Sequence, residues 1–130
     1  VNPVETAADK LSALAWRVCT RQRGNDDDDA TAIRHLHDLA ALERLATDAR
    51  EFHELVLQAA AADSRRGGGT APETPADRFA AMLRHLETDA VWAVEYDSYV
   101  NQVSFAQPGE MIAFEQALDA AKRLINSLFE

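Results

Sequence analysis

The sequence predicts an all-α chain, a helical bundle of about five or six helices, and three observations carry that expectation. Apolar residues recur at spacings of three and four through most of the chain, the period of a helix with one buried face. Of 130 residues, 25 are alanine and 13 leucine. The apolar material is therefore rich in the best helix former and poor in bulky core filler, which suits helices packed closely around a thin core. Glycine and proline fall into a few short breaks, and Val100 to Phe105 is the one weak strand candidate.

Asn2-Pro3 opens the first helix as a capping residue followed by proline at the first helical position, and Glu5 complements the helix dipole. Its apolar face runs through Val4, Ala7, Ala8, Leu11, Leu14, Ala15 and Val18, fading near Gln22 before Gly24-Asn25 and four aspartates. A second helix is expected to start between Asp29 and Thr31, with Ile33, Leu36, Leu39, Ala40, Leu42, Leu45 and Ala46 as its apolar set. Thr47-Asp48 is placed to cap a third, through Phe52, Leu55, Val56, Ala59 and Ala60 to about Asp63. The run from Arg65 to Gly69, followed by Pro72 and Pro75, is the clearest linker. A fourth helix from about Pro75 sets Phe79, Met82, Leu83 and Leu86 on one side. An aromatic stretch follows, in which Trp92, Tyr96 and Tyr99 keep helical spacing. Pro108-Gly109 then breaks the chain, and a last helix is expected from about Glu110 to Leu128. Three stretches result: 1–66, 67–75 as linker, and 76–130 as the C-terminal helices of the same bundle.

Composition narrows the function classes. No window approaches the ~18 consecutive apolar residues of a membrane span. The single Cys19 can form no internal disulfide, which fits a reducing cytoplasm. The chain begins on Val1 just before a helix, with no charged-then-apolar leader, and so reads as a domain fragment. Acidic residues outnumber basic ones 22 to 13, for a net charge of −9. Such a surface favours a basic partner and opposes gripping nucleic acid alone. Whether the chain pairs with a second copy is left open.

Two stripes carry the candidate chemistry. Lys10, Ala13 and Arg17 fall at i, i+3 and i+7, two long cations with only an alanine between them. That leaves room for a polyanion such as a triphosphate, with lysine as a point charge and arginine as a fork of donors. The same residues also suit an ordinary solvated face. On the second helix Arg34 and Asp38 are spaced as an ion pair, yet Asp38 shares its side with Leu42 and Leu45, and His35 leads into Leu39, Leu42 and Ala46. A carboxylate and an imidazole turned toward apolar neighbours need partners. Asp38 is either salt-bridged, to Arg34 or to a neighbouring helix, or part of a functional site.

The stretch Pro3 to Arg17 resembles the P-x-E-x-x-x-x-K-x-x-A-x-x-x-R segment of the AbiEii/AbiGii nucleotidyltransferase toxin family. In that family a variable loop and an R-D-x-x-D-L element follow. Here residues 24–32 stand as the loop, Arg34, Asp38 and Leu39 match the second element, and His35 replaces the more usual aspartate. The likeness covers the first third of the chain well, the rest fitting only as a variable helical tail. It implies the C-terminal helical portion of a nucleotidyltransferase-fold protein that uses Mg2+ and a nucleoside triphosphate. It further implies tRNA as an acceptor and a winged-helix antitoxin as the partner. By position, Lys10 and Asp38 would be catalytic. Lys10 would contact the triphosphate, Arg17, Arg34 and His35 would complete the nucleotide-binding set, and Asp38 would orient Lys10 or help activate the acceptor hydroxyl. The family's metal site, a Gly-Ser turn with an Asp-x-Asp pair, is missing: no Gly-Ser dipeptide occurs, and Asp26 to Asp29 reads as a solvated loop. These residues alone would then not be catalytic. The other reading is a non-catalytic acidic helical module that binds a basic protein.

Remaining features are weaker. His35 and His37 diverge at i and i+2, so no shared metal is expected. His53 and His85 lack ligand-spaced partners, and Gly67 to Gly69 lacks the ending of a phosphate loop. Cys19 has no paired base. Trp92, Tyr96 and Tyr99 suit core packing or base stacking. The stripe of Met111, Phe114, Leu118, Ala121, Ile125 and Leu128 suits a core face or a docking face.

Overall fold

The computed structural model describes residues 2–24, 28, 32–66, 72, 74–106 and 112–129, the side chains of 66 and 103–106 excepted. Among them lie six helices and no strand: α1 (Pro3–Thr20), α2 (Arg34–Asp48), α3 (Phe52–Arg66), α4 (Pro75–Thr88), α5 (Ala90–Ala106) and α6 (Phe114–Phe129). The all-α expectation holds. The weak strand at Val100 to Phe105 is corrected, since α5 runs straight through it.

Helix α1 is the element on which the others are assembled. Asn2 caps it, its Oδ1 accepting from the Val4 amide at 2.9 Å. Ala7, Ala8, Leu11, Leu14 and Ala15 are fully buried, and α1 packs against α2, α3 and α4. The alanines let those axes approach closely, because ridge-into-groove distance is set by the side chains at the contact. Helix α2 is held on its other side by α6, whose Ala117, Leu118, Ala121, Leu124, Ile125 and Leu128 are buried. The predicted terminal stripe is thus a core face, its Met111 lying outside the described residues. An Arg123–Glu43 pair at 2.6 and 2.8 Å joins α6 to α2 at the surface.

Three predicted boundaries move. Ala32 and Ile33 form a buried turn ahead of α2, so the helix begins at Arg34 rather than at Asp29 to Thr31, which lie outside the described residues. Thr47 and Asp48 belong to the last turn of α2 and do not cap α3. The chain breaks instead at Ala49, whose extended backbone N–H bonds the Ala46 carbonyl. The last helix begins at Phe114 rather than Glu110. Ala113 precedes it, and its N–H donates to Gln116 Oε1 at 3.1 Å, half of a capping box. The expected linker glycines and Pro108-Gly109 lie outside the described residues, while α3 reaches Arg66 and α4 opens on Pro75 with Thr74 as its cap.

Sequence pattern gave no sign of one buried cluster. Arg78 is 1% exposed. Its guanidinium donates to the Pro72 carbonyl at 3.1 Å, to the Ala60 carbonyl at 3.2 Å and to Ser64 Oγ, and lies over the Trp16 ring. Nearby, Ser12 of α1 donates to the buried Asp63 of α3 at 2.5 Å. A planar fork of five donors serves several acceptors at once, which a point charge cannot do. Arg78→Ala should therefore lower stability by about 3 kcal/mol, seen as a lower urea midpoint, and Arg78→Lys should recover little of it. Tyr96→Phe, which strands the Ile112 carbonyl now bonded at 2.7 Å, should cost about 1 kcal/mol in the same titration.

Candidate functional site

Close packing of α1 on α2 brings the two sequence motifs together. Lys10 Nζ donates to Asp38 Oδ2 at 2.8 Å, with the side chains 27% and 33% exposed. At that exposure the pair contributes about 1 kcal/mol or less to stability, so its main effect is to fix where the ammonium sits. Arg17 lies exposed two turns along α1, roughly 10 Å away at 1.5 Å per residue. Arg34 is the first residue of α2. Its cap residue, Ile33, makes no side-chain capping bond, and the first turn holds no acidic residue. The positive end of the helix dipole therefore adds to the arginine and lysine charge.

His35 sits among these groups. Its Nδ1 is the one buried side-chain nitrogen or oxygen without a hydrogen-bond partner among the described residues. Burial above all, and then the charges of Arg34, Lys10 and Arg17, hold its pKa down at about 4, against an opposing effect of Asp38. One imidazole thus senses all four charged residues of the two motifs. It stays neutral at physiological pH.

The inward placement expected of Asp38 is corrected. Leu45, two turns along α2 on that side, is 42% exposed, and Asp38 turns sideways to Lys10. The inward residue is His35, on the face of the buried Leu39 and Ala46.

Beyond Asp38 the site continues as aromatic rings that the sequence placed on separate helices. His37 Nδ1 lies 4.0 Å from Asp38 Oδ1. Its ring stands 6.2 Å, centroid to centroid, from both Tyr96 and Tyr99 of α5. Trp92 and Tyr96 are buried, as their spacing suggested for a core role, while Tyr99 is half-buried. Spacing on α5 showed that the tyrosines share a face, but nothing in the sequence showed that His37 meets them.

A second charged knot lies at the end of α1. Arg21 bonds Asp28 at 2.6 Å and Glu95 of α5, Arg23 bonds Asp89 at 2.7 Å, and both guanidiniums lie about 5 Å from the Trp92 ring centre. Each arginine is met by carboxylate, so this knot joins elements. It also involves one of the loop aspartates, Asp28, in an ion pair where a solvated loop was expected. Cys19 beside it is half-buried, its thiol pKa pushed up by burial, which makes it a poor nucleophile. No three His, Cys, Asp or Glu side chains converge among the described residues, and no described helix is long and apolar enough to cross a membrane.

The His35 environment has a consequence for acid stability. Its folded pKa of about 4 lies below the ordinary 6.5, so the unfolded chain takes up a proton first as pH falls. Stability should decline from pH 6.5 toward pH 4 on this account. His35→Gln, which never charges, should lose less melting temperature over that window than the wild type. Parallel declines in a thermal melt series would reject the assignment.

The family described as Nucleotidyl transferase AbiEii toxin, Type IV TA system, matches residues 1–120. The likeness therefore runs well past the first two helices and into α6. No curated protein and no solved structure matches the chain. The matched span takes in the Lys10 and Asp38 motifs and the helices that bring them together, and the chain belongs to the AbiEii nucleotidyl transferase toxin family of type IV toxin–antitoxin systems.

Proposed function

We propose that this chain supplies the phosphate-holding side of a nucleotidyltransferase toxin's active site. Lys10, Arg17 and Arg34 take the phosphates of a nucleoside triphosphate, and Asp38 orients Lys10. The observation that supports this most is the Lys10–Asp38 bond of 2.8 Å between two helices, beside a neutral imidazole on which Lys10, Arg17, Arg34 and Asp38 all act. In a chain of net charge −9, the gathering of Lys10, Arg17 and Arg34 around one imidazole is the feature that an ordinary solvated face does not explain. Lys10 would offset the charge that develops on the transferred phosphoryl group. His35 adds an uncharged N–H donor beside it.

Mg2+ does not fit the residues present. Asp38 already carries Lys10, so its charge is taken up by an ammonium. The metal-binding half of the reaction then belongs to a Gly-Ser and Asp-x-Asp element outside these 130 residues, and these residues alone do not catalyse transfer. tRNA is the acceptor that the family suggests, and with an acidic chain its grip must come from basic surface elsewhere. Such a toxin works in the cytoplasm and is neutralised by a winged-helix antitoxin. The competing reading, an acidic module docked on a basic partner, treats Lys10–Asp38 as a plain salt bridge.

Growth of bacteria expressing the whole protein that carries these residues separates the two. Lys10→Ala and Asp38→Ala should each abolish growth arrest without reducing soluble protein. Arrest that survives both would reject the assigned roles. In isothermal titration, the 130-residue chain should bind tripolyphosphate more weakly as salt rises. Lys10→Ala should weaken that binding by roughly tenfold or more, as expected for one charge-assisted contact.

A further inference from the structure

Asp38 meets Lys10 with one oxygen only. Its Oδ2 accepts from the ammonium at 2.8 Å, while Oδ1 faces His37 Nδ1 at 4.0 Å. The Cβ–Cγ torsion of an aspartate is broad and roughly two-fold, so a single contact at Oδ2 leaves the carboxylate plane free to turn. With the Asp38 side chain 33% exposed, water competes for both oxygens. A second attraction, at Oδ1, narrows that freedom, and His37 is in place to supply it.

The His37 ring is itself held. Its side chain is 19% exposed, and its ring is tilted on Tyr96 and edge-on to Tyr99, both centroids 6.2 Å away. Tyr96 is fully buried and is fixed in turn by its bond to the Ile112 carbonyl and by the Phe114 ring at 5.5 Å. The 4.0 Å gap between His37 and Asp38 is past direct hydrogen-bonding reach. An N–H at Nδ1, in the neutral tautomer or the imidazolium, still attracts a carboxylate oxygen across it. We propose that His37, seated against the two tyrosines of α5, is a positioning residue that fixes the plane of the Asp38 carboxylate and, through it, the place of the Lys10 ammonium. Its value to the toxin rests on the phosphate-holding role given to Lys10 above, because an ammonium already in place loses less freedom when a phosphate arrives.

The chain holds two lysines, Lys10 and Lys122, so NMR of the 130-residue chain with isotope-labelled lysine gives two side-chain Nζ signals, read through their Cε protons. Lys122 is paired with Glu87 at 3.0 Å, between α6 and α4, and serves as the internal control. Asp38→Asn marks where the Lys10 signal falls when its ion pair is lost. His37→Phe keeps a ring against the tyrosines but removes Nδ1. It should move the Lys10 signal most of the way to the Asp38→Asn position and leave Lys122 in place. His37→Asn sets an amide N–H near the Nδ1 position and should keep the Lys10 signal close to wild type. In the Asp38→Asn background neither change should move it further. A Lys10 signal that ignores His37→Phe, in a variant that melts as the wild type does, would overturn the positioning role. So would a signal that moves as far in His37→Asn as in Asp38→Asn, and that arm decides alone where His37→Phe does not fold. Growth arrest by the whole protein is read separately, and His37→Phe should weaken it. Full arrest alongside a displaced Lys10 signal would reject the phosphate role of Lys10 and leave the positioning by His37 standing.

Discussion

The burial of α1 between α2, α3 and α4 is the constraint on which the rest depends. Its contact face sets Ala7, Ala8 and Ala15 among Val4, Leu11, Leu14 and Val18, so burial at about 0.8 kcal/mol per methylene comes from the larger four and close approach from the alanines. Close approach is also what makes the site. A lysine on one helix and a carboxylate on the next meet at 2.8 Å because the two helices pack against each other. The packing that buries the apolar face of α1 therefore also sets the geometry of the charged groups beside it.

Electrostatics then divides the molecule into unlike regions. Most of the surface is acidic, and several exposed arginines are met by carboxylates, as Arg123 is by Glu43 and Arg23 by Asp89. Around His35, by contrast, Lys10, Arg17 and Arg34 gather with Asp38. The acidic surroundings discourage a polyanion from settling elsewhere, so net negative charge and an anion site are compatible. An aspartate in place of His35 would have added a second carboxylate to this cluster. The neutral ring instead adds no charge and leaves a buried nitrogen without a partner among the described residues.

Much of this was legible in the sequence where local physics decides the outcome. Asn2-Pro3 opens one helix and Pro75 another because cap and proline chemistry acts within a single turn. The stripes of α1 and α6 are buried as their period indicates. The Lys10 and Asp38 motifs were identified by resemblance, and their meeting required the fold. Legibility ended where side chains from distant elements meet. Arg78 looks like a surface residue in any helical projection, and only the approach of α3 and of Pro72 buries it. Asp38 seemed to point inward because Leu42 and Leu45 share its side, but Leu45 is on the open face of α2. The start of α2 was misjudged for a related reason: Ala32 and Ile33 are apolar enough to be helix, yet tertiary burial takes them as a turn.

The Arg78 clasp bears on how this domain holds together as an object. Arg78 belongs to α4, but its acceptors are in α3 and in Pro72 ahead of α4, while α1 packs on both α3 and α4. The two sides of the glycine-rich 67–71 stretch are thus joined through a third helix and through one guanidinium, independently of the peptide bonds between them. A protease cut there would yield two fragments with a ready-made interface, able to remain associated as a nicked domain. Its unity is a property of the interface more than of the unbroken chain.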